Sequence, residues 1–224
     1  MAKSSNKSSL NKSSKKNSNS PHAGAGDDES ARGRLLNAAT HLFCKNGINA
    51  TGIDAIIEEA GTAKTTLYKL FGSKTNLVNA VLESEGKQWR EWLIGAMEEG
   101  GGDAQTKLTR IFPALKSWFA EERFYGCPFI NAVGEHDKDA KQFRSIAMKH
   151  KKIVLGHIEK LAGELGSNEP VVLAHQLGLL IDGAIVAAMV SRDPGVADTA
   201  ALTAGPLLSQ WKAKRKRTEQ LVAV

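Results

Sequence analysis

Residues 53–71 read IDAIIEEAGTAKTTLYKLF, and this stretch decides the fold. Its isoleucines recur at the three- and four-residue spacing of an amphipathic helix, which is predicted to end at Ala60-Gly61. A second short helix is predicted over about Lys64–Phe71. Only the tight connection Gly61-Thr62-Ala63 separates the two helices. Two short helices joined in this way are typical of a helix-turn-helix unit.

The second helix of this unit is predicted to have two different faces. Leu67, Leu70 and Phe71 lie at spacings that turn one side of the helix inward. The remaining side chains are hydroxyls, a phenol and two lysines, which suit a nucleic-acid groove because they reach phosphates and base edges. These residues are Lys64, Thr65, Thr66, Tyr68 and Lys69. An ordinary solvated helix with two lysines is the alternative, and the charge alone fits it equally well.

Helices are also predicted on both sides of this unit. Before it, apolar residues recur at helical spacing up to Gly47, and Thr51 offers an N-cap for the helix that follows. After it, Ser73 is predicted to cap a fourth helix, Lys74 to about Glu99, which three glycines then break. Further amphipathic stretches lie at about 105–121, 129–135, 139–165, 169–191 and 199–220. No alternating strand pattern stands out, so the predicted fold class is all-α.

The surplus positive charge lies at the two ends of the chain. Residues 1–30 and 211–224 hold ten of the 30 basic and four of the 24 acidic residues, which leaves 20 of each between them. The net charge of +6 is therefore a weak argument for nucleic-acid binding. Residues 1–28 form a Ser/Lys-rich tail with too little apolar surface to offset the entropy of ordering, so we expect disorder there.

A cytoplasmic protein without a membrane span is expected. The most apolar stretch, residues 171–190, is interrupted by His175, Gln176 and Asp182, so it is interpreted as a buried helix. The N-terminus has no apolar segment followed by a cleavage site. Two cysteines, Cys44 and Cys127, make neither a disulfide framework nor a paired-cysteine zinc motif.

Turn glycines, core apolar residues and a Leu-Tyr…Phe-x-Ser-Lys ending form a specific pattern between residues 35 and 82. Its members are Ala38-Ala39, Leu42-Phe43, Gly47, Thr51, Ile56, Ala60-Gly61, Leu67-Tyr68, Phe71, Ser73-Lys74, Leu77 and Val81. This pattern resembles the DNA-binding domain of the TetR family of transcriptional regulators. Leu70 stands where that family usually has an aromatic residue or histidine, and Thr65 where glycine or alanine is common.

The resemblance implies a homodimeric, ligand-responsive repressor that binds a palindromic operator in double-stranded DNA. It implies a helix-turn-helix domain over residues 29–89 and a helical effector-binding and dimerisation domain over residues 90–224. The implied DNA-binding residues are Thr51, Lys64, Thr65, Thr66, Tyr68, Lys69 and Lys74. Of these, Tyr68 and Thr51 would contact phosphates, and Lys74 would clamp the backbone. The alternatives are that Thr51 only caps and that Tyr68 partly packs.

In the C-terminal body, residues 171–190 present an apolar surface too broad for one exposed helix. Its members are Leu173, Leu177, Leu180, Ile181, Ala184, Ile185, Ala188 and Met189, joined later by Leu202, Leu207, Leu208 and Trp211. We interpret them as a four-helix dimer seam. The alternative is that they form the core of the monomer.

The predicted effector pocket draws on aromatic side chains, a methionine and a histidine. They are Trp92, Phe112, Trp118, Phe119, Phe129, Met148 and His157, and plain core is the alternative for each. Cys127 follows Gly126 and precedes Pro128 at the start of a predicted helix. It is interpreted as structural, with a redox sensor of lowered pKa as the alternative.

Neither a metal nor another cofactor is predicted. His136 with Asp137 and Asp139, or His150 with His157, lacks the ligand count and spacing of a metal site. An enzyme using Cys127 or a histidine is the second hypothesis, but no catalytic arrangement, metal motif or glycine-rich phosphate loop accompanies it. The third is non-specific nucleic-acid binding through the lysine-rich ends, which cannot read sequence.

Overall fold

The computed structural model describes residues 30–136 and 141–222, with side chains described up to residue 210. The predicted tail over residues 1–28, the pair Asp137 and Asp139, and the side chain of Trp211 lie outside this description. Within it, every regular element is a helix, as predicted. The helices are α1 Ala31–Asn46, α2 Ile53–Glu59, α3 Lys64–Phe71, α4 Lys74–Glu98, α5 Ala104–Thr109, α6 Ile111–Phe119, α7 Pro128–Glu135, α8 Lys141–Leu165, α9 Pro170–Ser191 and α10 Val196–Val222.

The first three helices and the start of α4 form a compact unit, which we call the head. α1 packs against α2, α3 and α4, and α3 packs against α2 and α4. The apolar residues that meet between them are buried: Leu35, Ala38, Ala39, Phe43, Ile56, Leu67, Phe71, Leu77, Val78 and Val81. A short helix such as α2 or α3 is marginal by itself in water, so this shared core is what holds both in place.

The remaining helices form the body, which differs from the prediction in one place. Residues 105–121 are not one helix, because α5 ends at Thr109 and α6 begins at Ile111. Pro113 explains the break. Its ring lacks an N–H group and would clash with the carbonyl group of Thr109, four residues earlier, in a continuous helix.

α9 lies at the centre of the body and buries one face inside its own chain. It packs against α6, α8 and α10. Leu173, Leu177, Ile181, Ala184, Ile185 and Ala188 are each at most 5% exposed, and Leu208 of α10 is 1% exposed. The interpretation of these residues as a dimer seam is wrong, because they are the core of the monomer.

The opposite face of α9 is apolar and exposed. Val172, Leu179, Val186 and Val190 lie on it at seven- and four-residue spacings, and Leu202 of α10 is 78% exposed. By length and composition, Pro170–Ser191 is also the one helix of the described residues that could cross a membrane. Because one face of this helix belongs to the protein core, packing within the bundle explains much of its apolar composition.

Candidate nucleic-acid interface and interior cavity

Two long-range contacts hold α1 against the helix-turn-helix unit. Nε of Arg34 donates a hydrogen bond to the carbonyl oxygen of Ala60 at 3.1 Å. Nδ1 of His41 lies 2.7 Å from Oε1 of Glu59. Both contacts reach the C-terminal end of α2, immediately before the turn into α3. These contacts attach the turn to α1 and thereby hold α3 in one orientation.

α3 presents the predicted polar residues on one accessible face. Lys64, Thr65 and Lys69 are exposed, Tyr68 is 45% exposed and Thr66 is half-buried. Lys64 and Tyr68 are four residues apart, as are Thr65 and Lys69, so the two pairs run side by side along the accessible part of the helix. The structure therefore brings the predicted α3 residues together on a surface that the rest of the described chain leaves open.

Lys64 takes part in an ion pair at the start of this face. Its Nζ atom lies 3.0 Å from Oδ1 of Asp54 on α2. The hydrogen bond to Asp54, together with its negative charge, raises the pKa of Lys64. The ammonium group remains positive at neutral pH, but part of its field is cancelled by its partner.

Lys74 is placed by the junction between α3 and α4. The chain reverses at Gly72, where φ is +75°, and Ser73 then caps α4 by accepting a hydrogen bond from the backbone N–H of Asn76 at 3.1 Å. A positive φ of this kind favours glycine, because a side chain would be strained there. Lys74 is the first residue of α4 and is half-buried, so it follows the accessible face of α3 closely along the chain.

Two predictions about the head are wrong. Thr51 neither caps α2, whose N-cap is Gly52, nor faces solvent. It is 3% exposed and donates its hydroxyl to the carbonyl oxygens of Gly47 and Leu42, at 2.7 and 3.2 Å, so it is withheld from a phosphate. Leu70 is also not part of the core, because 42% of it is exposed beside the polar face of α3.

The body contains a cavity of about 240 Å³ between α4, α6, α7, α8 and α9, which is partly open to solvent because its lining includes Leu179, 72% of which is exposed. Ligand pockets in proteins usually have volumes of about 300–1,000 Å³, so this cavity suits a small compound. Its lining comprises Glu85, Trp89, Trp118, Cys127, Pro128, Phe129, His150, Lys151, Val154, Leu155, His175, Gly178, Leu179, Ile181, Asp182 and Ile185.

Aromatic rings in mutual contact form one wall of this cavity. The rings of Phe129 and His150 are stacked, with centroids 4.2 Å apart and planes 16° apart. Trp89 meets His150 at 5.5 Å and Trp118 at 5.9 Å, edge to face in both cases. Gly86 leaves room for this arrangement, because a Cβ atom at that position would lie 2.8 Å from Cζ of Phe129.

His150 is a neutral group in this wall. Burial, followed by the positive charges of Arg90 and Lys151, lowers its pKa to about 4. Nη1 of Arg90 lies 3.1 Å from Nδ1 of His150. Because a guanidinium group only donates hydrogen bonds, Nδ1 must accept, and the ring proton is assigned to Nε2.

The predicted effector-pocket residues are only partly brought together. Trp118 and Phe129 line the cavity, whereas the other five do not. Phe112 and Phe119 belong to the core, and Met148 is 66% exposed. Trp92 lies on a separate surface hollow, and His157 lies 3.9 Å from Glu98 at another small void. The prediction relied on residue type, and an aromatic residue fills a core more often than it lines a pocket.

Sequence reasoning missed Glu85, Trp89, His150, Lys151 and Asp182. One signal was available on α9, because His175 and Asp182 interrupt the most apolar stretch of the chain seven residues apart, on one side of the helix. The same two polar residues that argue against a membrane span also mark the cavity side of α9.

Cys127 is buried and Cys44 is half-buried, and neither thiol has the activation that a redox sensor needs. Burial raises the pKa of Cys127, and it raises the pKa of Cys44 to about 12. The alternative that Cys127 has a lowered pKa is therefore wrong. His136 contacts the carbonyl oxygen of Ala132 through Nδ1 at 2.7 Å. Among residues 30–136 and 141–210, no group of three His, Cys, Asp or Glu side chains could hold a metal ion.

α7 connects the cavity to the head. Its first residues, Pro128 and Phe129, line the cavity, and its last residue, Glu135, contacts the loop between α1 and α2. Oε2 of Glu135 accepts a hydrogen bond from the backbone N–H of Asn49 at 2.9 Å, and its carbonyl oxygen accepts one from Nδ2 of Asn49 at 2.6 Å. An eight-residue helix is about 12 Å long, so one short, stiff element touches both regions.

Comparison with known proteins gives a consistent family. Residues 35–81 match the family model of bacterial regulatory proteins, tetR family. An HTH-type transcriptional regulator from Lactococcus lactis subsp. lactis is 25% identical over 171 residues, covering 74% of this chain and 87% of that protein. The HTH-type transcriptional regulator QacR of Staphylococcus aureus strain Mu50 is 37% identical over 127 residues, covering 56% and 64%.

Comparison of the fold with solved structures agrees with the family match and covers most of the chain. The crystal structure of a TetR-family transcriptional regulator from Streptomyces coelicolor aligns with a TM-score of 0.75 and 28% identity, covering 81% of this chain and 96% of that one. The similarity thus extends beyond the head into the body. Residues 35–81 are therefore a helix-turn-helix domain of the tetR family type, and the chain shares the fold of TetR-family transcriptional regulators over most of its length.

Proposed function

We propose that the chain is a ligand-responsive repressor of the cytoplasm that binds a palindromic operator as a homodimer. The observation that carries this proposal is the accessible face of α3, where Thr65, Tyr68 and Lys69 project from a helix held rigidly from behind. The proposed head spans residues 29–89 and the proposed body residues 90–224, with α4 passing through the boundary between them.

In this proposal α3 enters the major groove of DNA. Lys64, Thr65, Thr66 and Lys69 contact base edges and the flanking phosphates, and Tyr68 donates its hydroxyl to a phosphate. Lys74 holds the DNA backbone from the start of α4. Phosphate contacts supply affinity that falls with salt, whereas the few base contacts supply sequence preference. Thr51 has no part in this interface, because its hydroxyl is bonded inside the head.

A gel-shift titration with a palindrome from the region upstream of the gene tests the interface. Tyr68→Phe should weaken binding about 2- to 12-fold, the equivalent of one hydrogen bond. Lys69→Ala should weaken binding and lower the slope of log affinity against log salt by about one. Lys152→Ala, at an exposed position on α8, is the matched control and should change neither. Unchanged binding in both α3 variants would reject this face.

Dimerisation is proposed through the exposed face of α9 and the adjoining part of α10. Val172, Leu179, Val186, Val190 and Leu202 form an apolar stripe on the monomer, and a contiguous exposed apolar surface is a common sign of an interaction site. A two-fold dimer would place two copies of α3 in successive major grooves, which is why the proposed operator is palindromic.

Sedimentation velocity tests this stripe. Val190→Glu and Leu202→Glu should each shift the protein towards monomer, since a charge buried at an interface core is strongly unfavourable. Met148→Glu changes an equally exposed apolar residue on α8 and should leave the dimer intact. A wild-type protein that is monomeric at micromolar concentration would contradict the proposal.

Ligand response is proposed to reach the head through α7 as well as α4. A compound that displaces Phe129 would move α7 and, at its other end, the hydrogen bonds between Glu135 and Asn49. Such a compound must bind more tightly to the conformer that does not bind DNA, and DNA must then weaken its binding by the same factor.

Compounds that raise the melting temperature of the free protein by filling the cavity should therefore lower its affinity for DNA. Glu135→Ala should reduce that effect while leaving cavity binding unchanged. Glu122→Ala is the matched control, because Glu122 is an exposed glutamate of the same region outside the cavity lining. If cavity-binding compounds leave DNA affinity unchanged in the wild-type protein, the ligand response is wrong.

A further inference from the structure

The cavity of the body opens to solvent beside α9. Among the described residues that line it, only His175 and Leu179 are exposed, and they lie about one turn apart on that helix. All the other lining residues, on α4, α6, α7, α8 and the rest of α9, are buried or half-buried. The mouth of the cavity, which we define by His175 and Leu179, is therefore part of the outer surface of α9.

Leu179 belongs both to this mouth and to the apolar stripe that is proposed to form the dimer. Along α9 the stripe lies in a row of positions that alternate by four and three residues, which is the spacing of a seam between two helices packed side by side. These positions are Val172, Gln176, Leu179, Gly183, Val186 and Val190, and none of them is charged. The seam is about 27 Å long, at 1.5 Å per residue.

Gly183, in the middle of the seam, indicates that a second helix covers it. A Cβ atom at this position would meet nothing within 4 Å, so packing within the described chain does not require glycine there. Glycine in a helix interior lowers helix stability relative to alanine, but it allows another backbone to approach closely. In a two-fold dimer a surface faces its own copy, so α9 of the second copy supplies such a helix.

Without a second copy, the cavity is an incomplete site for an apolar compound. Its inner wall is apolar, with Trp118, Phe129, Ile181 and Ile185. Ligand pockets usually bury about 70–90% of the surface of the ligand, whereas a compound in this cavity would keep part of its surface in water at the mouth. Because the two copies meet through the same patch, the stripe of the second copy is what can cover this opening with apolar side chains.

We propose that the second copy closes the mouth, so that each cavity is a complete binding site for a small apolar compound only in the dimer. This proposal deepens the proposed function and rests on it, since it requires a dimer formed through the apolar stripe. Ligand binding and dimerisation are then linked. The compound binds more tightly to the dimer, and each bound compound strengthens the dimer by the same factor.

Naphthalene, an uncharged hydrocarbon of two fused rings, is the probe. Equilibrium dialysis of the full chain without DNA, read by the absorbance of the protein-free compartment, compares the wild type with Val190→Glu. Val190 is 76% exposed on the stripe and lies outside the cavity lining, so this change should break the dimer and leave the cavity wall intact. The variant should bind naphthalene about 10-fold more weakly, the equivalent of about 55 Å² of apolar surface left in water.

Two further variants control this comparison. Leu202→Glu disrupts the same stripe from α10, also outside the lining, and should weaken naphthalene binding as Val190→Glu does. Met148→Glu adds the same charge at an exposed apolar position on α8, and should remain dimeric and bind naphthalene like the wild type. Sedimentation velocity and circular dichroism establish the oligomeric state and the folding of each variant. Val190→Glu and Leu202→Glu proteins that both stay dimeric would contradict the stripe as the interface.

The linkage should also appear in the stability of the wild-type dimer. Saturating naphthalene should lower the dissociation constant of the dimer by about 10-fold for each of its two cavities, and so by up to about 100-fold. Sedimentation velocity over a dilution series, with and without naphthalene, measures this constant. A dissociation constant that naphthalene leaves unchanged would overturn the closure of the mouth by the second copy.

The outcomes separate this proposal from the proposed function. A wild-type dimer that binds naphthalene no more tightly than the monomeric variants, or not at all up to its solubility limit, overturns the closed site and leaves the dimer interface standing. A wild-type protein that is monomeric contradicts the proposed dimer itself. Dimer-dependent binding of naphthalene with unchanged affinity for DNA supports the closed site and contradicts the ligand response.

Discussion

The head and the body keep their functional groups on opposite sides of their helices. In the head, α3 buries Leu67 and Phe71 and exposes Tyr68 and Lys69, so the groups proposed to contact DNA are on the outside. In the body, the groups proposed to contact a ligand line a partly open cavity between helices. An exposed face follows from the spacing of residues within one helix, whereas a cavity depends on how several helices meet. Substitutions should therefore separate stability from function in the head more cleanly than in the body.

The largest effect is expected within α3 itself. Leu67→Ala should lower the free energy of unfolding by about 2–5 kcal/mol, because Leu67 is fully buried and its truncation leaves a cavity. Leu70→Ala, on the same helix but 42% exposed, is the matched control and should change it by about 0.5 kcal/mol or less. Urea unfolding measures both. Equal losses would mean that the two faces of α3 are not distinct.

A pH-dependent loss of stability is expected in the body. The pKa of His150 is about 4 in the folded protein and about 6.5 when the chain is unfolded. Between these values the unfolded state binds more protons, so stability is fully present above pH 6.5 and falls as the pH decreases towards 4, by about 3 kcal/mol in total.

His150→Gln removes this titration. Urea midpoints at pH 7 and pH 4.5 should therefore fall less with acid in the variant than in the wild type. His157, which is also partly buried, is unchanged in both proteins and cancels from the difference. The same pH dependence in both proteins would show that His150 is not the group responsible.

A smaller effect is expected at Thr51. Thr51→Val keeps the shape of the side chain but removes the hydroxyl that bonds Gly47 and Leu42, which should cost about 1–3 kcal/mol of stability. The salt slope of DNA binding should not change, because the hydroxyl does not face the DNA. Thr203→Val, at an exposed site on α10, is the control with little expected effect. If Thr51→Val lowers the salt slope of DNA binding, then Thr51 does contact a phosphate and this prediction is wrong.

The smallest effect is expected at the ion pair beside the face of α3 that is proposed to bind DNA. Asp54→Asn removes the carboxylate beside Lys64, so the affinity for DNA should rise a few-fold as the lysine charge is freed. Thermal stability should be almost unchanged, since an exposed ion pair contributes little. Glu91→Gln, which affects the exposed pair with Lys87 on α4, is the control. Gel shifts at low salt measure the DNA affinity of each variant. Weaker DNA binding by Asp54→Asn than by the wild type would contradict the prediction.

Local signals made the head predictable from the sequence. The ends of α3 and the start of α4 follow from Gly61, Gly72 and the cap at Ser73, and each signal acts within a few residues. Thr51 was misassigned because a threonine before a helix also suits an N-cap. The Thr51 hydroxyl can either cap α2 or donate to the carbonyl groups at the end of α1, and tertiary packing decides between the two.

The body was predictable as helices but not as a site. The apolar pattern of α9 predicts a buried helix, but both faces of α9 are apolar, so the pattern cannot tell the core face from the exposed one. The cavity depends on residues such as Trp89 and His150, which are 61 positions apart in the chain and meet only once α4 and α8 have packed. Non-local contacts of this kind leave no periodic trace in a sequence.

Gly86 gives α4 a mechanical property that follows from its position. It is the middle residue of the helix Lys74–Glu98, and a larger side chain there would collide with Phe129, Arg90 and His150. Glycine in a helix interior also lowers the resistance of the backbone to bending, because it has the widest conformational freedom. α4 therefore has a point of low bending stiffness beside the cavity wall. A small displacement of the helix at Gly86 would become a larger displacement at its N-terminal end, next to α3.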